Sequence, residues 1–275
     1  MFGIALGMDI GDFKSIFRKP RSVATGVVSQ FFLLPLLTFI LVWLLRPSPG
    51  IALGMMLVAA CPGGNVSNFI SSLSGAGIAL SVSLTAVATL LCPVLTPVNF
   101  RFWAGILPET AGLLQSFAIS FPEILQTVLL VLVLPLAGGT GLKALSRKAA
   151  GRIEKPVKYL SFAILVGFIG IALFNNFAAF RAHLAAIFVL VALHNAVAFA
   201  TGYGFAYLNG LQEPERRSVC IETGIQNSGL GLIIIFTFFG GNGEMALIAA
   251  WWGVWHIIAG LVLAKYFTRR NPSTA

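Results

Sequence analysis

Charged side chains are scarce in this chain: only 10% of its 275 residues are Asp, Glu, Lys or Arg. Soluble domains carry roughly a quarter, enough to wet a closed surface. The shortage excludes an ordinary water-soluble globule. Cysteine is rare as well. Cys61, Cys92 and Cys220 lie singly in apolar stretches, without the spacing of a metal site, and read as small buried hydrophobes. Catalytic motifs are also missing: there is no G-x-S-x-G elbow, no H-E-x-x-H pair and no nucleotide-binding loop. An intramembrane enzyme would have to be built from scattered Ser, His and Glu with no motif to organise them.

Apolar residues, by contrast, are abundant, at 57% of the chain with a mean hydropathy of +0.91. Several runs reach the roughly 20 residues that a helix needs to cross a bilayer. They are continuous rather than alternating, which favours helices over barrel strands. The expected fold class is therefore all-α and polytopic, embedded in a lipid bilayer. Eight crossings are expected, at Ser22–Leu45, Gly50–Ser74, Ile78–Phe100, Leu113–Leu142, Val157–Asn176, His183–Leu208, Glu215–Phe239 and Glu244–Phe267. Met1–Ile10 is apolar but too short to cross, and reads as the remnant of a helix whose beginning is absent.

The net charge of +9 comes from 18 basic against 9 acidic residues. Most of the cations fall in clusters at 14–21, 143–158 and 265–270, with Arg216 and Arg217 as a smaller group. Threading eight spans places all four clusters on one side, the pattern of loops retained in the cytoplasm. The clusters thus report orientation, with the C-terminus inside, rather than a nucleic-acid partner. No obligate protein partner is evident.

Two spans are interrupted midway, at Cys61–Asn68 (CPGGNVSN) and at Glu222–Gly229 (ETGIQNSG). Pro and Gly weaken a helix, and Asn and Ser compete for its hydrogen bonds. Irregular backbone at this depth is tolerated only inside protein or beside a wet cavity. Each break sits in the middle of a three-span group, and the groups start on opposite sides. That is the signature of an inverted repeat with its binding site at the breaks. Glu222 is the sharpest residue, because an intramembrane acid costs about 2.5–3.5 kcal/mol on the insertion scale. Two readings stand: a cation held among Glu222, Thr223, Gln226 and Asn227, or a protonated acid bonded to neighbouring helices. Asn65, Ser67 and Asn68 either add oxygens to that site or cap the second half-helix. Gln30, Ser81 and Thr85 lie inside other spans, as ligands or as interhelical hydrogen bonds. The half-helix starts direct partial positive charge at the crossing, which suits an anionic substrate. His194 and His256 read as packing or bonding residues, and Trp251, Trp252 and Trp255 as lipid-facing or interfacial.

Cys61–Pro97 and Glu222–Leu230 (ETGIQNSGL) resemble the bile acid:sodium symporter family. Val27–Pro35 (VVSQFFLLP), Leu193–Asn195 (LHN) and Val254–His256 (VWH) support the resemblance, which spans the chain as a bacterial-type member. It implies ten helices as two inverted five-helix repeats, forming a core domain with two crossed broken helices and a panel domain. Mapped here, 22–100 and 183–267 would be the core helices, 113–176 the panel, 1–10 a truncated helix and 268–275 a cytoplasmic tail. The alignment starts within the family's second helix. The resemblance further implies two Na⁺ ions. One would bind Ser67, Asn68, Ser81, Thr85 and Glu222; the other Gln30, Glu222 and Gln226, with the carbonyls of Thr223 and Ile225. Asn65 and Asn227 would contact the substrate. Two positions depart from the family pattern: Asn65 stands where many members have Thr, and Ile257 where many have Asn. The implied function is sodium-coupled symport of an organic anion, bile-acid-like or a smaller carboxylate, across a bacterial inner membrane. A proton-coupled or exporting carrier of the same fold is the alternative.

Overall fold

Prolines mark where several helices begin. Pro20, Pro49, Pro108 and Pro214 all lie in first turns, where the missing N–H is not needed and the fixed φ suits the helix. The computed structural model describes residues 19–117, 121–175 and 177–270; Met1–Ile10 and 271–275 of the tail lie outside them. Among the described residues the regular structure is helical, apart from one isolated bridge between Gly63 and Gln226. The helices, in chain order, are α1 Pro20–Leu45, α2 Pro49–Ala60, α3 Asn65–Leu73 and α4 Ile78–Ala104. After them come α5 Pro108–Ser116, α6 over 121–145, α7 Arg147–Asn175 and α8 Phe177–Leu208. The last three are α9 Glu213–Gly224, α10 Ser228–Phe238 and α11 Gly243–Arg270.

Segments Pro20–Leu45, Ile78–Ala104, Ala185–Leu208 and Gly243–Arg269 are each long and apolar enough to cross a membrane. The two interrupted spans are each split into a pair of helices, α2–α3 and α9–α10. The gaps are shorter than the sequence pattern predicts, only 61–64 and 225–227. Asn65–Asn68 already belong to α3, and Glu222 and Thr223 still belong to α9. Three other boundaries need correction. The expected span Leu113–Leu142 is two helices, because Pro108 starts α5 early and α5 ends at Ser116. The span expected at Val157 begins at Arg147, with Pro156 accommodated inside the helix. The span expected at His183 begins at Phe177.

Helix α1 widens into a π turn at Ser29–Leu33, just ahead of Leu34 and Pro35. Pro35 has no N–H to return to the preceding turn, and the wider turn absorbs the mismatch. Gln30 stands in that turn, buried. Helix α6 repeats the device at Leu129–Val133, ahead of Leu134 and Pro135.

The core is built on α2, where Gly50 to Ala60 are all buried. A helix apolar on every side belongs in an interior. At Gly54 an added Cβ would come within 3.0 Å of Met245 Cα, so glycine there lets α11 approach closely. The outer surface exposes Phe32, Trp43, Leu90, Val189 and Val262, a coat that lipid tolerates and water does not. Trp252 departs from its expected lipid-facing place: it is fully buried, its ring 4.7 Å from that of His194. His194 in turn is hydrogen bonded to Thr38 at 2.7 Å, as a bonding histidine should be.

The turns show how the broken helices are threaded. The Gly77 N–H donates to the Pro214 carbonyl at 2.9 Å, so the end of α3 and the start of α9 share one face. At the opposite face Gly50 packs against Glu244 and Asn242. The pairs α2–α3 and α9–α10 therefore traverse the molecule in opposite directions.

Candidate ion-binding site

Where a helix stops, its last carbonyls lose their partners, and in a membrane no water replaces them. Side chains from neighbouring helices do so here. Thr96 donates to the Ala60 carbonyl at 2.6 Å, Gln30 to Cys61 at 3.0 Å and Asn195 to Gly224 at 2.7 Å. The breaks also satisfy each other. Gly63 and Gln226 pair as an antiparallel bridge, and the Asn227 N–H donates to the Pro62 carbonyl at 2.8 Å. Two interrupted helices thus cross and are joined by backbone at the crossing.

One group of oxygens gathers beside this junction. On α3, Ser67 and Asn68 are adjacent; on α4, Ser81 and Thr85 are four residues apart and so share a face. Helix α9 supplies Glu222 from its last turn. Thr85 donates to Glu222 Oε1 at 2.7 Å and Ser81 reaches Oε2 at 3.3 Å. The same hydroxyls reach Asn68 Oδ1, at 2.9 Å from Ser81 and 3.3 Å from Thr85, and Ser67 Oγ lies 3.5 Å from Thr85 Oγ1. Glu222 is only 3% exposed, and Ser67, Ser81 and Thr85 are buried with it. Gly63 makes room for the carboxylate: a Cβ there would collide with Glu222 Oε1. All five side chains expected at the first ion position therefore stand together.

A second group lies at the π turn of α1. Gln30 Nε2 donates to Gln226 Oε1 at 2.7 Å, and Gln226 Nε2 donates to the Thr223 carbonyl at 2.6 Å. Gln30 Oε1 is buried and accepts no hydrogen bond. A buried acceptor without a donor is costly, and a cation is one way to satisfy it. The Thr223 hydroxyl is engaged elsewhere, 2.9 Å from Ser29 Oγ. Ile225 is fully buried within the break. The described hydrogen bonds of Glu222 run to the first group, so its expected share in the second carries no contact here.

Of the two expected substrate contacts, Asn227 is half-buried and caps α10, its Oδ1 accepting from the Leu230 N–H at 3.1 Å. Asn65 opens α3, but its side chain lies outside the described residues. The capping alternative fails for Ser67, whose hydroxyl donates to the Gly64 carbonyl instead of accepting an N–H. Sequence reasoning overlooked Ser71, which donates to Ser81 Oγ at 3.0 Å. Its position four residues after Ser67 on one helix face was the available signal. It also overlooked the Cys61 carbonyl, which only the crossing brings to Gln30.

As a donor set, the first group offers one carboxylate and four neutral oxygen-bearing side chains. Hard oxygen ligands suit alkali and alkaline-earth cations rather than thiophilic metals. A single negative charge in a low-dielectric site is neutralised by one monovalent ion.

A sequence profile described as the sodium bile acid symporter family matches residues 1–183. An uncharacterised sodium-dependent transporter of Bacillus subtilis (strain 168), YocS, is 34% identical over 271 residues, covering 98% of this chain and 81% of its own. The probable chloroplast sodium/metabolite cotransporter BASS1 of Arabidopsis thaliana is 29% identical, covering 99% of this chain and 65% of its own. Sodium/bile acid cotransporter 5 of Rattus norvegicus is 28% identical, covering 85% of this chain and 52% of its own. This chain thus spans less than two thirds of the plant and rat proteins. All three relatives bear the names of transporters, not enzymes. With its apolar helices and these matches, the chain is an integral membrane protein that belongs to the sodium bile acid symporter family.

Proposed function

We propose that this protein carries a small organic anion across a bacterial inner membrane together with Na⁺, by alternating access. The observation that carries the reading is the buried Glu222 carboxylate ringed by Ser67, Asn68, Ser81 and Thr85. One Na⁺ would occupy that ring. The second would lie among Gln30, Gln226, Glu222 and the carbonyls of Thr223 and Ile225, where Gln30 Oε1 lacks a donor. The first ring draws on α3, α4 and α9, so an ion there ties the two broken helices together. Without it a buried carboxylate is uncompensated, at a cost of about 2.5–3.5 kcal/mol. Ion binding thereby sets the geometry of the crossing.

Helices α3 and α10 both begin at that crossing, and their N-terminal partial charges favour an anion. Asn65 and Asn227 stand at those starts as the substrate contacts. The names of the relatives, sodium/bile acid and sodium/metabolite cotransporters, point to organic anions as the cargo class. In this reading 22–100 and 183–267 form two inverted core repeats, 113–176 forms the panel, and the C-terminus is cytoplasmic.

A thermal-shift screen of organic anions tests the reading, run in NaCl and in choline chloride at equal ionic strength. A ligand at 100 times its Kd stabilises the native state by about 2.7 kcal/mol. NaCl should raise the melting temperature, an anion should raise it further only with Na⁺, and Glu222→Gln should abolish both effects. Uptake into liposomes that proceeds unchanged in choline, driven by pH alone, would sink sodium coupling and favour a proton-coupled carrier.

A further inference from the structure

Arg217 is 1% exposed, an unusual place for a guanidinium. It lies on α9, five residues before Glu222, at the face where α3 ends. Its Nη1 donates to the Ser74 carbonyl at 2.9 Å and its Nε to Glu213 at 3.1 Å, while its guanidinium carbon sits 5.0 Å from the Phe267 ring centroid. A buried charge is retained where its hydrogen bonds hold something in place, because removing it from water is expensive.

What it holds is the end of α3. That helix has nine residues, and its last carbonyls have no partners within it. A cation at a helix C-terminus also meets the negative end of the dipole. From this anchor a file of buried hydroxyls leads to the ring around Glu222. Ser74 Oγ donates to the Ser71 carbonyl at 3.0 Å, and Ser71 Oγ to Ser81 Oγ at 3.0 Å. Ser81 is the hydroxyl that reaches both Asn68 and Glu222. Close by, Ser218 donates to the Gly77 carbonyl at 3.0 Å, so the α3–α4 turn is pinned to α9 as well.

We infer that Arg217 is a positioning residue for the cation ring, clamping the end of α3 so that Ser71 orients Ser81 toward Asn68 and Glu222. The inference rests on the cation reading of that ring. It separates Arg217 from Lys19, which also meets α9 at this face, through Glu215 at 2.7 Å, but lies off the hydroxyl file and has its side chain 56% exposed.

The test uses the purified full chain with Na⁺ alone as the probe. Melting temperature is followed against NaCl, with choline chloride holding the ionic strength, and the Na⁺ midpoint is read. Arg217→Gln should raise that midpoint about tenfold, the effect of losing one charge-assisted hydrogen bond. Arg217→Lys should recover part of it, and Lys19→Gln should leave the midpoint where it was. Ser71→Ala should raise it too, and the double variant R217Q/S71A should shift no further than the larger single one, as coupled residues do.

A purely structural arginine would lower the melting temperature in choline and leave the Na⁺ midpoint unmoved; that result, or shifts that simply multiply in the double variant, overturns the inference. Should R217Q fail to accumulate, midpoints unmoved in both R217K and S71A overturn it equally. Wild-type protein indifferent to Na⁺ would bring down the cation reading and this inference together. A responding wild type beside an unaltered R217Q removes this inference alone.

Discussion

At the scale of single residues, the chemistry concentrates on one carboxylate. Glu222 is legible in the sequence because an acid in the middle of an apolar span is rare and costly. Ser67, Asn68, Gln226 and Gln30 are legible for a weaker reason, as polar groups placed where lipid-facing helices have none. The role of Gly63 is less visible. Proximity to Pro62 marks it as a helix breaker, but the contact of its missing Cβ with the Glu222 carboxylate joins residues 159 positions apart. Gly63→Ala should push that carboxylate out of the ring. The expected outcome is a protein that still folds, destabilised by about 1–3 kcal/mol as overpacked sites are, and no longer stabilised by NaCl. Thermal denaturation in NaCl and in choline chloride checks both effects.

At the scale of elements, the broken helices are held by side chains that repair their ends. Thr96 on α4, Gln30 on α1 and Asn195 on α8 each take a carbonyl that a continuous helix would have bonded internally. Thr96→Val keeps the volume and removes the hydroxyl, leaving the Ala60 carbonyl buried without that donor. A loss of about 1–3 kcal/mol is expected, read as a lower melting temperature in choline chloride. The existence of both breaks follows from the clusters CPGGN and TGIQNSG. Their extent does not. Asn and Ser look like disrupting residues in isolation, yet Asn65–Asn68 are helical because α3 starts at Asn65 and Ser67 turns its hydroxyl back to the Gly64 carbonyl. Likewise the cluster Trp251, Trp252 and Trp255 reads as lipid-facing or interfacial. Trp252 is buried because α11 turns that face toward His194 on α8.

At the scale of the whole molecule, the opposite directions of the two broken pairs require that their first turns lie on opposite membrane faces. We propose that charge placement assigns those faces, since basic loops stay in the cytoplasm. Glu109 and Lys148 are both exposed, at the start of α5 and the start of α7. In intact cells a membrane-impermeant maleimide should label Glu109→Cys, whereas Lys148→Cys should react only after permeabilisation. The reverse pattern would invert the assigned orientation. The three native cysteines are buried and should contribute little background.

Composition and pattern alone determined the solvent this protein folds in, its helical class and the approximate place of its long apolar helices. Those properties follow from local rules: apolar length against bilayer thickness, and too few charges to wet a surface. Tertiary structure alone decided that Gly63 meets Gln226, that Ser71 and Ser81 share a hydrogen bond, and that Arg217 grips the end of α3. The first joins the two breaks and the others join different helices, and the first and last connect residues far apart in the chain. No periodicity in a one-dimensional sequence encodes which buried donor will face which freed carbonyl.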